Sequence, residues 1–348
     1  MPNSTGIRDQ DYIVIADETI LTVHGDVHPS DFFVGEITFV PDRSEGDRIL
    51  LGRRYRKAHE VGGVTIREAF RPKLRDHGST PFHSGHLFSA KSIVSCSRIV
   101  THIDSTSPRA SVDLGEAADR YVQATMAEVW RRFGDELEGI SIGRTGSARL
   151  TSDAGARLHD LDVVFRGSVS AIQNLVAAMA SAARRDPAIR LVEHGKSWQI
   201  RLATPGGVLC SFFSYADPSQ SPLYGLTKME TIIPDVVLEA LVVEDAQNSF
   251  HPTFLRVKPR SWSTDVPSAA RRDLLVMINH LRGRGDFFAG DIGVFRGALV
   301  DVSSGVGDFV ALSVVDGHSC ISVTPPWPQY DDADRLLAHP RRGAFPVD

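Results

Sequence analysis

Two short stretches carry residues whose types and spacing can do chemistry. In His159-Asp160-Leu161-Asp162-Val163-Val164-Phe165, two aspartates stand two apart inside an apolar run. On a strand, residues two apart point to the same face, roughly 6.6–7 Å from one another along the chain. Asp160 and Asp162 therefore present their carboxylates side by side, while Leu161, Val163 and Phe165 fill the opposite face. Parallel carboxylates repel unless something neutralises them, and a divalent cation is the natural partner. Mg²⁺ is typically held by one or two carboxylates together with substrate phosphates, and phosphoryl or nucleotidyl transfer needs that neutralisation. Upstream, Ile142-Gly143-Arg144-Thr145-Gly146-Ser147 reads as a strand running into a turn. Its Gly-Ser end offers backbone N–H groups and a hydroxyl to phosphates, and glycine lets the backbone approach closely. Arg144 and Lys196 are further cationic candidates for a triphosphate.

The surrounding pattern has to position these residues. Strands are expected at Ile140–Gly143 and Leu158–Phe165. A helix is expected where Ala118, Tyr121, Val122, Met126, Val129, Trp130 and Phe133 recur at three- and four-residue steps, with Gly134 as its stop. Residues 168–185 read as a second amphipathic helix with Ile172, Leu175, Val176 and Met179 on one face. Trp198–Ala203 and Val208–Tyr215, joined through Thr204-Pro205-Gly206-Gly207, read as a hairpin. Together these make an α/β unit over about residues 115–235. Before it lie short β-branched runs, at Tyr12–Ile15, Ile20–Val23, Phe33–Val40 and Ile49–Tyr55, with a further strand near Ser92–Ile103. After it come Val236–Val243, Thr253–Val257, Gly293–Leu299, Phe309–Val315 and Cys320–Val323, which suggest a small barrel, with Leu274–Ile278 read as helical.

Composition narrows the function classes. The chain has 348 residues, 42% hydrophobic and 23% charged, with a net charge of −5, and no third of it carries a basic excess. An extended nucleic-acid surface is therefore not expected. One local exception is Arg53 to Arg75, with eight basic residues against Glu60 and Glu68. It reads as a solvated hairpin face, or else as a phosphate-facing patch. No apolar run approaches a membrane span, and Cys96, Cys210 and Cys320 show no metal or disulfide spacing. A cytoplasmic location and no membrane partner are expected. His83-Ser84-Gly85-His86 reads as a loop, Cys210 as a core residue and His159 as a buried histidine.

The pair of motifs resembles the nucleotidyltransferase superfamily that includes DNA polymerase β, in its minimal branch. There, a strand ending in Gly-Ser (here Thr145-Gly146-Ser147) precedes a strand bearing Asp-x-Asp (here Asp160-Leu161-Asp162). Val23-His24-Gly25-Asp26-Val27-His28-Pro29-Ser30-Asp31, with Gly52-Arg53-Arg54-Tyr55-Arg56, resembles the N-terminal region of a predicted nucleotidyltransferase group best known from archaea. Val242 to Thr253 is similar to the start of that group's C-terminal β domain. The resemblance implies an α+β fold class, with a polymerase β-type nucleotidyltransferase core (115–235) between an N-terminal β-rich domain (1–114) and a C-terminal small, OB-like β-barrel (236–326), then an irregular tail (327–348).

The implied activity moves an NMP from an NTP to an acceptor hydroxyl or phosphate, releasing pyrophosphate. Asp160 and Asp162 would be catalytic and hold Mg²⁺ or Mn²⁺, and Gly146, Ser147, Arg144 and Lys196 would bind the nucleotide. The acceptor stays open between an RNA or DNA end, a small molecule and a protein hydroxyl. The superfamily usually adds a third carboxylate from a later strand. The matching strand, Val208–Tyr215, has no acid; Ser211 or Cys210 stands in the expected place, with Asp217 or Glu230 as substitutes. The alternative is a non-catalytic nucleotide- or nucleic-acid-binding module with a degenerate site.

Overall fold

The computed structural model describes residues 6–28, 31–58, 92–107, 116–151, 158, 160–193, 196–279, 283–315 and 319–322. The first sheet is built from β1 (Tyr12–Ile15), β2 (Ile20–Val23), β3 (Phe32–Pro41), β4 (Arg48–Leu50), β5 (Arg53–Lys57), β6 (Ser92–Ser95) and β7 (Ile99–Ile103). Its order is β4-β5-β3-β2-β1-β7, with β6 also on β3. Ile13, Ile15, Leu21, Val23 and Phe33 form its buried apolar side.

Next in the chain are α1 (Glu116–Phe133), β8 (Ser141–Arg144), α2 (Ser147–Leu150), β9 (Asp160–Gly167), α3 (Val169–Arg185), β10 (Arg190–Glu193), β11 (Lys196–Thr204) and β12 (Gly207–Tyr215). The second sheet runs β10-β11-β12-β9-β8, with β9 and β12 parallel. Ser168 caps α3 by accepting from the Ala171 N–H, which satisfies one of the donors that a helix start leaves open. Val129 and Phe133 of α1, and Leu175 and Met179 of α3, pack on Leu161, Val163 and Phe165. The alternation of β9 then turns Asp160, Asp162 and Arg166 to the other face.

The third sheet comprises β13 (Lys228–Gln247), β14 (Thr253–Trp262), β15 (Leu274–Ile278), β16 (Ile292–Ser304), β17 (Gly307–Val314) and β18 (Ser319–Ser322). β13 pairs with β14 on one side and β16 on the other, so the path β13-β14-β15-β17-β16 closes on itself. Leu238, Val257, Val276, Phe295 and Leu312 fill the enclosed core.

The chain is mostly β, with three sheets and three α-helices among the described residues. This corrects the α+β class with a polymerase β-type core, which is built with several helices. The physical reason is that a sustained helical repeat occurs at only two long segments, α1 and α3, whereas short β-branched runs between breaks dominate the rest. Leu274–Ile278, expected to be helical, is β15, hydrogen-bonded to β14 and β17. A short, wholly apolar run has no period to distinguish the two. Trp130, assigned to the apolar face of α1, is 54% exposed.

Buried polar groups join the three sheets. Arg284, between β15 and β16, donates to Asp9 at 3.0 Å, and both side chains are buried. Asp9 also accepts from the Gly25 N–H at 2.7 Å. Asp26 accepts from Ser214 Oγ at 2.8 Å and from the Tyr215 N–H at 3.1 Å, both on β12. Burial raises the Asp9 carboxyl above its ordinary range even with Arg284 beside it. Arg166 of β9 donates to Asp11 at 3.1 Å and Asp104 at 3.2 Å. These bonds seat the first sheet on the aspartate-bearing face of the second. No described helix is long and apolar enough to cross a membrane.

Candidate metal and nucleotide site

The site begins where β8 ends. Thr145 donates its N–H to the Asp162 carbonyl at 2.9 Å, and its hydroxyl donates to the Gln10 carbonyl at 2.9 Å. Gly146 then adopts φ +64° and ψ −158° as the N-cap of α2, a region open essentially to glycine. A Cβ at Gly146 would lie 1.8 Å from Asp162 Oδ2. The Gly-Ser turn and the aspartate pair, 14 residues apart in sequence between Gly146 and Asp160, thus lie against one another. Ser147 opens α2 and is half-buried. The Gly146 N–H donates to Tyr12 Oη at 2.7 Å, so the first sheet takes up one of the donors expected to meet a phosphate.

Asp160 and Asp162 share one face of β9, as the alternation requires. The parallel register places Cys210 beside Asp162. One ligand atom from each of Asp160, Asp162 and Cys210 lies within 4.8 Å of the others. Ser211, one residue on, faces the packed side, with its buried Oγ without a partner among the described residues. The place beside the aspartates therefore belongs to Cys210, whose side chain is buried but turned to the acidic face. Asp217 is occupied in a turn with Ser219, and Glu230 pairs with Lys228 on β13; neither is grouped with the aspartates. Arg201, opposite Cys210 in the β11–β12 hairpin, donates Nη2 to Asp160 Oδ2 at 3.1 Å and Nε to Cys210 Sγ at 2.8 Å.

The electrostatics follow from this crowding. Burial, and secondly the charge of Asp160, push Asp162 up to about 7, against the opposing pull of Arg201, Cys210 and Lys57. Burial, and then the Asp162 charge, hold the Cys210 thiol well above its usual range. Burial raises Tyr12 to about 12.

Other sequence candidates are placed differently. Arg144 pairs with Val163 in register, on the face opposite the aspartates. The Lys196 side chain, His159, and the His83 and His86 segment lie outside the described residues. Within the described part of the basic run, Arg53 pairs with Glu18 and Arg56 with Asp42 and Glu45, whereas Lys57 acts on Asp162. Arg67, Arg71, Lys73 and Arg75 lie outside the described residues. Sequence reasoning missed Arg201 and Tyr12 as site residues, while Lys57 belongs to the basic run read as a solvated hairpin face or a phosphate-facing patch. The hairpin carried a signal for the first: pairing Thr204 with Gly207 puts Arg201 opposite Cys210. Tyr12 and Lys57 arrive from another sheet. Compared with known proteins, no family model, no curated protein and no solved structure matches the chain.

Proposed function

We propose that the chain is a metal-dependent nucleotidyltransferase, moving an NMP from an NTP to an acceptor hydroxyl or phosphate with release of pyrophosphate. The observation that carries this reading is the contact of the Gly146–Ser147 turn with Asp162, where a Cβ would stand 1.8 Å from the carboxylate. A phosphate-binding turn pressed against a crowded carboxylate pair is what NTP chemistry with a bound cation requires. Ligand atoms of Asp160, Asp162 and Cys210 fall within 4.8 Å of one another, and the two carboxylates supply the oxygen donors that such an ion takes. When bound, a divalent cation (Mg²⁺ or Mn²⁺ in the resemblance) supplies charge neutralisation for the triphosphate. Asp160 and Asp162 would hold it, Ser147 would offer its hydroxyl to a phosphate oxygen, and Lys57 and Arg201 would add positive charge. Tyr12 orients the turn through the Gly146 N–H.

A second reading, a nucleotide-binding module without turnover, draws on the same site. A thiol stands where a third carboxylate would hold the attacking hydroxyl's proton, and Tyr12 already occupies one backbone donor. Label transfer from α-labelled ATP, CTP, GTP and UTP separates the readings, with RNA, DNA and the protein itself offered as acceptors. Transfer by the wild type and none by Asp160→Asn/Asp162→Asn supports the transferase. Cation-dependent NTP binding without transfer supports the binding module. An absence of both refutes the site.

A further inference from the structure

We propose that the first sheet opens as one body from the aspartate-bearing face of the second, and that this opening admits the nucleotide. The admission rests on the nucleotide reading of the site, whereas the opening does not. Each of the two sheets keeps its own core. Ile13, Leu21 and Phe33 pack together within the first sheet, as do Tyr12, Phe39 and Tyr55. Among the described residues, no side chain of the second sheet joins either group. The contacts that seat one sheet on the other are polar. Arg166 bonds to Asp11, Asp104 and Thr106, and Ser214 and Tyr215 bond to Asp26. The Arg144 N–H donates to the Ser105 carbonyl at 3.0 Å. Water takes up such bonds once they part, whereas a parted apolar contact simply loses its burial. Polar interfaces between separate cores are where domains move. The first sheet's apolar anchor lies on the third sheet, where Val34 packs with Phe254, Met277 and Val300. It keeps that anchor as the polar face parts.

The closed fit is tightest at Gly143 of β8. An added Cβ there would lie 2.1 Å from the Ser105 carbonyl oxygen and 2.7 Å from the Thr106 Cα. Two backbones meet at this point with no side chain between them, so a single methyl group acts as a wedge. The short helix α2 tethers the two bodies, with Leu150 in the first sheet's core and Ala148 in the second's. In the closed state Tyr12 Oη holds the Gly146 N–H at 2.7 Å. Opening withdraws Tyr12 and leaves that N–H to bond a phosphate oxygen. A nucleotide that makes this bond only in the open form shifts the chain toward it.

The test is amide hydrogen exchange of the full chain, read residue by residue by NMR. The N–H groups of Arg144, Gly146 and Tyr215 cross the junction at three separate points. They should share one opening equilibrium, at least about tenfold more open than the amides bonded between β9 and β12. Gly143→Ala should speed all three at least about tenfold further while leaving the β9–β12 amides within about twofold. Ser214→Ala removes a bond only at Asp26, yet should speed Arg144 and Gly146 as well. Should Gly143→Ala fail to fold, the Ser214→Ala and wild-type rates decide. Three unrelated rates, or exchange only together with the β9–β12 amides, overturns the motion. With ATP and Mg²⁺ added, Gly146 should slow while Arg144 and Tyr215 exchange faster. Slowing at Gly146 without the other two responding overturns the opening's role in admission. No change at any of the three overturns the nucleotide reading of the site and leaves the opening standing.

Discussion

Replacing Gly146 with alanine tests how the site is built. Its backbone at φ +64° and ψ −158° disfavours any side chain by about 1–3 kcal/mol. The added Cβ then meets Asp162 Oδ2 at 1.8 Å, Cγ at 2.7 Å and Cβ at 2.9 Å. Rotation of the carboxylate relieves the first two contacts. The third belongs to an atom anchored on β9, so the turn itself must also move, against the Tyr12 and Asp162 hydrogen bonds that hold it. Such overpacking typically adds about 1–3 kcal/mol. Gly139→Ala is the control, since Gly139 also has positive φ (+73°) but nothing within 4 Å of an added Cβ. Urea unfolding should show Gly146→Ala losing at least about 1 kcal/mol more than Gly139→Ala. Calorimetric titration should show divalent-cation affinity falling at least about tenfold only in the former, because Asp162 has been turned away. Equal stabilities together with unchanged cation affinity would refute the contact on which the functional reading depends.

The junction between the sheets supplies two further predictions. Burial, and then the charge of Asp9, raise Asp26 to about 6 from an ordinary 3.8. The folded chain therefore holds this proton more tightly than the unfolded one. That contribution to stability is complete below about pH 4 and is lost as pH rises through 6. Asp26→Asn should flatten the fall in unfolding free energy between about pH 4 and 6.5, and parallel pH profiles for the two proteins would contradict the assignment. Arg284→Met leaves the Asp9 carboxyl buried without its partner, which costs about 3–5 kcal/mol. Adding Asp9→Asn should restore part of that loss in a double-mutant cycle of urea unfolding, whereas strictly additive losses would show that the pair does not interact.

The legible part of the fold was the part with a local period. The 17 residues of α3 repeat their apolar positions every three or four residues. β9 alternates Asp160, Leu161, Asp162 and Val163, so the separation of an acidic face from a packed one follows from the residue pattern alone. The hairpin of β11 and β12 was marked by its Pro-Gly-Gly turn. Where the period failed, so did the reading. Leu274–Ile278 is apolar at every position, and the neighbours that make it a strand come from β14 and β17. The α+β class failed for a related reason: a motif over a few residues carries no information about how much of the remaining chain is helical.

Sequence by itself determined that Asp160 and Asp162 stand side by side, because a strand's two-residue repeat is set by its own backbone. It also determined that a Gly-Ser turn ends the preceding strand. Only the tertiary structure decided what surrounds them. The parallel pairing of β9 with β12 chose Cys210 over Ser211 as the third group, since register decides which residues share a face. Tyr12 and Lys57 came from a separate sheet, seated by the buried bonds of Asp11, Arg166, Asp26 and Ser214. No local pattern encodes such contacts: they join residues more than a hundred positions apart, and their geometry depends on how whole sheets pack.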